Sequence, residues 1–254
     1  MSSAELDVVV WKWAPSPGAD PNRVYTYEHV NAMRSMLARH LHTPHRLRCF
    51  TDRPLDRTEV VFDDFTQTAR VHELHPDIVL HPLPPDPPVY KHCRRLRIFD
   101  PAMGYYLGAL DGKARILQLD LDLVILDDVT PIFIAPGSFL YSGGNIAAML
   151  FDVGELRGLW DWYSAYPEAA LAEARASTRS STLSDQAIVN HYMRSRKYPW
   201  TPLPPGIVRF PYKAGAIAWT PPPETRAVHM YGKTTNPSRP EVQAANPWIV
   251  EHWR

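Results

Sequence analysis

The stretch Ala114-Arg115-Ile116-Leu117-Gln118-Leu119-Asp120-Leu121-Asp122 decides how this chain is read. Ile116, Leu117 and Leu119 form an apolar run of strand length that passes directly into two aspartates one residue apart. A strand ending this way carries its carboxylates at its carboxyl end. Open α/β sheets bind ligands there, because the loops beyond the strand ends enclose a crevice. In extended backbone, residues two apart face the same side, so Asp120 and Asp122 are expected to converge on one cation. Hard oxygen ligands of this kind suit Mg²⁺ or Mn²⁺.

Working back towards the start, Leu6 to Trp13 has Val8, Val9 and Val10 at its centre, as expected of a short strand buried on both faces. Val30, Met33, Leu37 and Leu41 then recur at helical spacing behind Thr26, a candidate N-cap, with Glu28 in the first turn. Leu47 to Thr51 reads as a second strand ending at Asp52, completing a strand, helix, strand rhythm. Asp63 to Pro88 reads as loop, with a short strand at Ile78 to Leu83, and Lys91 to Phe99 as a basic helix. Beyond the aspartates, strands are expected at Phe139 to Tyr141, Ile146 to Phe151, Ile207 to Phe210 and Ala227 to Met230. Helices are expected at Glu155 to Tyr166 and Ser184 to Arg194. The predicted fold is α/β: a central, mostly parallel sheet flanked by helices, in one domain spanning residues 1–254.

Composition narrows the function classes. With 254 residues and 45% hydrophobic content the chain can bury a sizeable core, and 27 basic against 27 acidic side chains leave no global field for nucleic acid. No apolar run approaches the ~20 residues of a membrane span, and the polar start lacks a secretory pattern, so a cytoplasmic protein is expected. Cys49 and Cys93 fall in different predicted elements and read as buried thiols.

Asp-x-Asp alone is a common triplet, and two other readings compete for it. It also opens phosphatases that form an aspartyl-phosphate, but those normally carry Thr two residues after the second aspartate, where this chain has Val124. The pair could also be solvated turn carboxylates closing a strand.

Other segments follow in order along nearly the whole chain: Trp11-Lys12-Trp13, Cys49-Phe50-Thr51-Asp52, Arg94-Arg95-Leu96, Gln118 to Asp122, Asn145, Ser184-Asp185-Gln186, and His229-Met230-Tyr231-Gly232-Lys233. This ordered set resembles the retaining glycosyltransferases of the GT-A (Rossmann-like) fold, which include glycogenin and bacterial galactosyltransferases. Phage and bacterial members share the opening Trp-Lys-Trp, the Glu28-His29-Val30-Asn31 helix and a closing Trp248-x-x-x-x-Trp253. One departure is that Asn236-Pro237 is followed by Ser238, where the family usually has a Pro-Trp pair.

The resemblance implies a role at each position. Asp120 and Asp122 would be metal ligands for Mn²⁺ or Mg²⁺, with His229 as the third. Lys233 would reach the donor phosphates, and either Arg94 or Arg95 would contact donor phosphate or sugar. Asp185 and Gln186 would lie beneath the donor sugar as the catalytic pair, and Asn145, beside Gly143 and Gly144, would touch the sugar. Lys12, Trp13 and Asp52 would form the nucleoside wall. It further implies a nucleotide-diphospho-sugar donor, UDP-linked by likeness, and a cytoplasmic setting in a bacterium or phage-infected host. The hydroxyl acceptor would be a glycan or small molecule, or a hydroxymethylated pyrimidine in DNA. A binding module without turnover is the non-enzymatic alternative.

Overall fold

The computed structural model describes residues 6–14, 24–63, 68–83, 91–103, 107, 115–141, 146–178, 184–211, 218–230 and 235–254. Its elements, in chain order, are β1 (Leu6–Lys12), α1 (Tyr27–His40), β2 (His45–Thr51), β3 (Thr58–Asp63), β4 (Thr68–Glu73), β5 (Val79–Pro82) and a 3-10 helix (Lys91–Phe99). Next come β6 (Arg115–Leu119), β7 (Leu123–Ile125), α2 (Thr130–Phe133), β8 (Phe139–Tyr141), β9 (Ala148–Asp152), α3 (Arg157–Ala165), α4 (Pro167–Thr178) and α5 (Asp185–Ser195). The last are β10 (Thr201–Pro202), β11 (Ile207–Arg209), β12 (Ala227–His229), α6 (Pro240–Ala245) and α7 (Pro247–His252).

The expected α/β architecture is present. Seven strands form a mostly parallel central sheet in the order β10-β8-β9-β6-β1-β2-β5, with β8 and β9 antiparallel. A second sheet runs β11-β12-β7, and β3 and β4 form a separate antiparallel hairpin. Every residue of β1 is buried, the apolar run Val8–Trp11 as well as Asp7 and Lys12 on either side of it.

Packing divides the chain into two compact units. One comprises Met1–Asp7, Pro84–Leu117 and Pro136–Leu203. Its core includes Phe99, Phe139 and Phe151, with ring centroids 5.1 to 6.4 Å apart. The helix Lys91–Phe99 is of 3-10 type, and Cys93, Leu96 and Phe99 are all buried at its three-residue repeat. Helix α4, absent from the sequence expectation, buries Ala170, Leu171 and Ala174 along one side.

The other unit comprises Val8–Leu83, Gln118–Ala135 and Pro204–Arg254. Here α1 buries Val30, Met33, Met36 and Leu37. Thr26 caps it in a capping box in which His29 takes the place usually held by Glu or Gln. The hairpin β3–β4 also departs from expectation. Val60 and Val71, paired across it, are 64% and 65% exposed, whereas Glu59 faces inward at 8%. An inverted pattern of this kind hides a strand from any reading that looks for buried apolar residues. Cys49 and Cys93 are both buried free thiols, and burial pushes each up to about 12.

Candidate functional site

Strand β6 stops at Leu119, and the backbone turns at once, with the Leu123 amide donating to the Asp120 carbonyl at 3.2 Å. The aspartates therefore sit on a tight turn, not on the extended backbone the sequence suggested. Leu121 between them is buried, while Asp120 and Asp122 keep partial access to solvent. Past the turn, β7 pairs antiparallel with β12 so that Leu123 lies opposite His229. The Met230 amide closes the pair on the Asp122 carbonyl at 2.9 Å. This register delivers an imidazole from the tail to a turn more than a hundred residues earlier in sequence.

His229 Nε2 lies 3.3 Å from Asp122 Oδ1 and 3.9 Å from Asp120 Oδ2, and one ligand atom from each of the three residues falls within 4.8 Å of the others. Burial alone would lower the pKa of His229, but the charges of Asp122 and Asp120 outweigh it and raise the value. The two carboxylates thus favour positive charge beside this imidazole. Two carboxylates and one imidazole are a donor set for Mn²⁺ or Mg²⁺. Ligands about 2.1 Å from a shared ion stand roughly 3 to 4 Å apart, so these residues fit such an ion with small adjustment.

Behind this cluster lies a layer that sequence reading missed. The Tyr25 hydroxyl donates to Asp122 Oδ2 at 2.9 Å, and its ring stands edge-on to His29 at 5.2 Å. His29 is fixed at both nitrogens. Its Nδ1 accepts from the Thr26 amide at 3.1 Å, so Nε2 carries the proton and donates to Asn236 Oδ1 at 2.9 Å. The same Asn236 oxygen accepts the Ser238 amide and hydroxyl at 2.9 and 2.8 Å. Burial pushes His29 down to about 4, partly offset by the Asn236 bond and the Asp122 charge. No local signal marks Tyr25, because its partner is 97 residues away.

The remaining candidates fall into three sets. In the same unit, the Lys12 ammonium is buried 2.6 Å from Glu59 Oε2 and 4.5 Å from the Tyr27 ring centroid. Asp52 Oδ2 accepts the Ala14 amide at 2.8 Å and so ties the end of β1 to that of β2. Trp13 is partly buried, while Trp11 is a core residue stacked on Phe50 at 4.7 Å. In the other unit, Arg95 Nε donates to Asp185 Oδ2 at 2.6 Å, tying the 3-10 helix to the first turn of α5, while Arg94 is partly buried on the same helix. Ser184 caps that helix through the Ala187 amide, and Asp185 Oδ1 accepts the Gln186 amide at 2.9 Å. Asn145 and Lys233 lie outside the described residues.

Among solved structures, an active-site mutant of LgtC aligns with a TM-score of 0.55, at 14% identity over 97% of this chain and 94% of that one. The galactosyltransferase LgtC in complex with donor and acceptor sugar analogs aligns with a TM-score of 0.52, at 13% identity over the same shares of the two chains. No protein-family model and no curated protein matches the sequence. The chain therefore shares the overall α/β fold of these two structures, in keeping with the fold expected from the ordered motifs. Among the described residues, no helix is long and apolar enough to cross a membrane.

Proposed function

We propose that this chain, as one GT-A domain over residues 1–254, is a metal-dependent glycosyltransferase. It moves a sugar from a nucleotide-diphospho-sugar, UDP-linked in this reading, to a hydroxyl acceptor with retention of anomeric configuration. The observation that carries the proposal is the convergence of Asp120, Asp122 and His229 within 4.8 Å at the end of a central strand. When bound there, Mn²⁺ or Mg²⁺ supplies Lewis-acid neutralisation of the donor's diphosphate.

In this reading the protein's own groups position the donor and stabilise charge. Trp13 and Asp52 flank the nucleoside, and Lys12 supports that wall from within, its ammonium being engaged by Glu59. Arg95 and Asp185 form a charged pair whose carboxylate, with Gln186, stabilises the positive charge developing at the anomeric carbon. Asn145 contacts the sugar and Lys233 the phosphates. The acceptor hydroxyl attacks the anomeric carbon as the bond to the diphosphate breaks, and its proton passes to the departing diphosphate oxygen on the same face. No dedicated base is needed.

The test is a panel of nucleotide sugars incubated with Mn²⁺, read as release of nucleoside diphosphate. One donor should be hydrolysed slowly without acceptor, and Asp122→Ala should abolish the release while leaving the circular dichroism spectrum intact. Full activity of that variant at saturating donor overturns the proposal, and tight donor binding without release identifies a binding module. Acceptors are then sorted by transfer to glycans and small alcohols against salt-dependent binding to hydroxymethylated duplex DNA.

A further inference from the structure

Resting on the metal site proposed above, we infer that Tyr25 is a positioning residue for that site: its hydroxyl holds the Asp122 carboxylate in the orientation that meets His229. The two oxygens of Asp122 have separate tasks. Oδ2 accepts the phenol proton at 2.9 Å, and Oδ1 is turned towards the imidazole at 3.3 Å. A carboxylate on a tight turn can rotate about its side-chain torsions. Anchoring one oxygen removes that freedom and commits the other to the side where the ligand atoms gather.

Tyr25 is itself held in place. Its ring stands edge-on to His29, and a second edge contact at 5.2 Å places Trp253 against the same imidazole. Because both nitrogens of His29 are engaged, by the Thr26 amide and by Asn236, the imidazole is a rigid wall, not a rotating ring. The chain of contacts thus runs from Asp122 through Tyr25 and His29 to the segment that follows His229 in sequence. All of these residues belong to one compact unit.

Removing a ligand destroys the site, whereas removing an outer partner leaves the ligands present and weakens the cation's hold, typically about 10- to 100-fold. Tyr25→Phe is the suitable change, since the ring keeps its contact with His29 and only the hydroxyl is lost.

The experiment titrates chelator-treated protein with Mn²⁺, reading free ion by electron paramagnetic resonance, for the parent, Tyr25→Phe and Asp122→Ala. Expected is a dissociation constant weakened about 10- to 100-fold in Tyr25→Phe, with the melting midpoint of the metal-free protein unchanged, and no saturable binding in Asp122→Ala. An affinity within twofold of the parent overturns the role of Tyr25 and leaves the metal site standing. Weakened affinity accompanied by a lowered metal-free midpoint also overturns it, because Tyr25 then acts on the fold. If the parent binds no Mn²⁺, the metal-site reading and this inference fall together.

Discussion

At the scale of single residues, the interior of the unit that contains Val8–Leu83 carries charges whose effects can be measured without any ligand. Lys12 and Glu59 form a buried pair, and Glu59 also accepts the Tyr27 amide through Oε1 at 2.5 Å. Breaking such a pair strands one charge in the core, so Lys12→Met should cost about 3–5 kcal/mol in urea unfolding. Lys12→Met combined with Glu59→Leu should recover much of that loss. His29 gives a prediction in pH. Its folded value is pushed down to about 4, below the unfolded value near 6.5, so the unfolded chain takes up the proton first as pH falls. Stability contributed by keeping it neutral is fully present above about 6.5 and is lost between 6.5 and 4, at up to about 1.4 kcal/mol per pH unit. His81, likewise pushed down to about 4 by burial and by Arg48, acts in the same direction. The urea midpoint of chelator-treated protein should fall across this window, with a shallower slope in His29→Gln. Of these residues, Asp120, Asp122 and His229 were legible as candidates because a strand end and an ordered motif point to them. Tyr25, Glu59 and the buried state of Lys12 were not, since each is defined by a partner distant in sequence that only the folded chain supplies.

At the scale of elements, legibility followed the hydrophobic pattern. Strands β1, β2, β6 and β8 bury their apolar runs, and the sequence marks them within a residue or two. The hairpin β3–β4 escaped because Val60 and Val71 face solvent and Glu59 faces in. Helices α6 and α7 begin at Pro240 and Pro247, a favourable first-turn position that reads as loop when proline is taken only as a breaker. Gly206 shows how an element depends on one residue. It lies at φ +126°, its carbonyl accepts the Arg226 and Ala227 amides that start β12, and a Cβ there would meet Ile132 Cδ1 at 3.0 Å. Gly206→Ala is expected to cost about 1–3 kcal/mol from backbone strain alone. Since β12 carries His229, the same variant should bind Mn²⁺ more weakly, which calorimetric titration would reveal.

At the scale of the whole molecule, a cation that binds only the folded chain shifts the unfolding equilibrium by mass action. Mn²⁺ at a hundredfold excess over its dissociation constant should add about 2.7 kcal/mol, or roughly 5–10 °C in melting midpoint for a chain of this size. The shift should vanish in Asp122→Ala, as differential scanning fluorimetry would show. The pairing of β7 with β12 has a kinetic consequence as well. During synthesis the turn bearing the two acids leaves the ribosome long before the histidine does, and joining them requires closure of a loop of over a hundred residues. The nascent chain can therefore present only two of the three side chains of the proposed metal site until its tail has emerged and docked. Tight Mn²⁺ capture should accordingly appear among the last events of refolding, and a stopped-flow signal from the ion would time the docking of the tail.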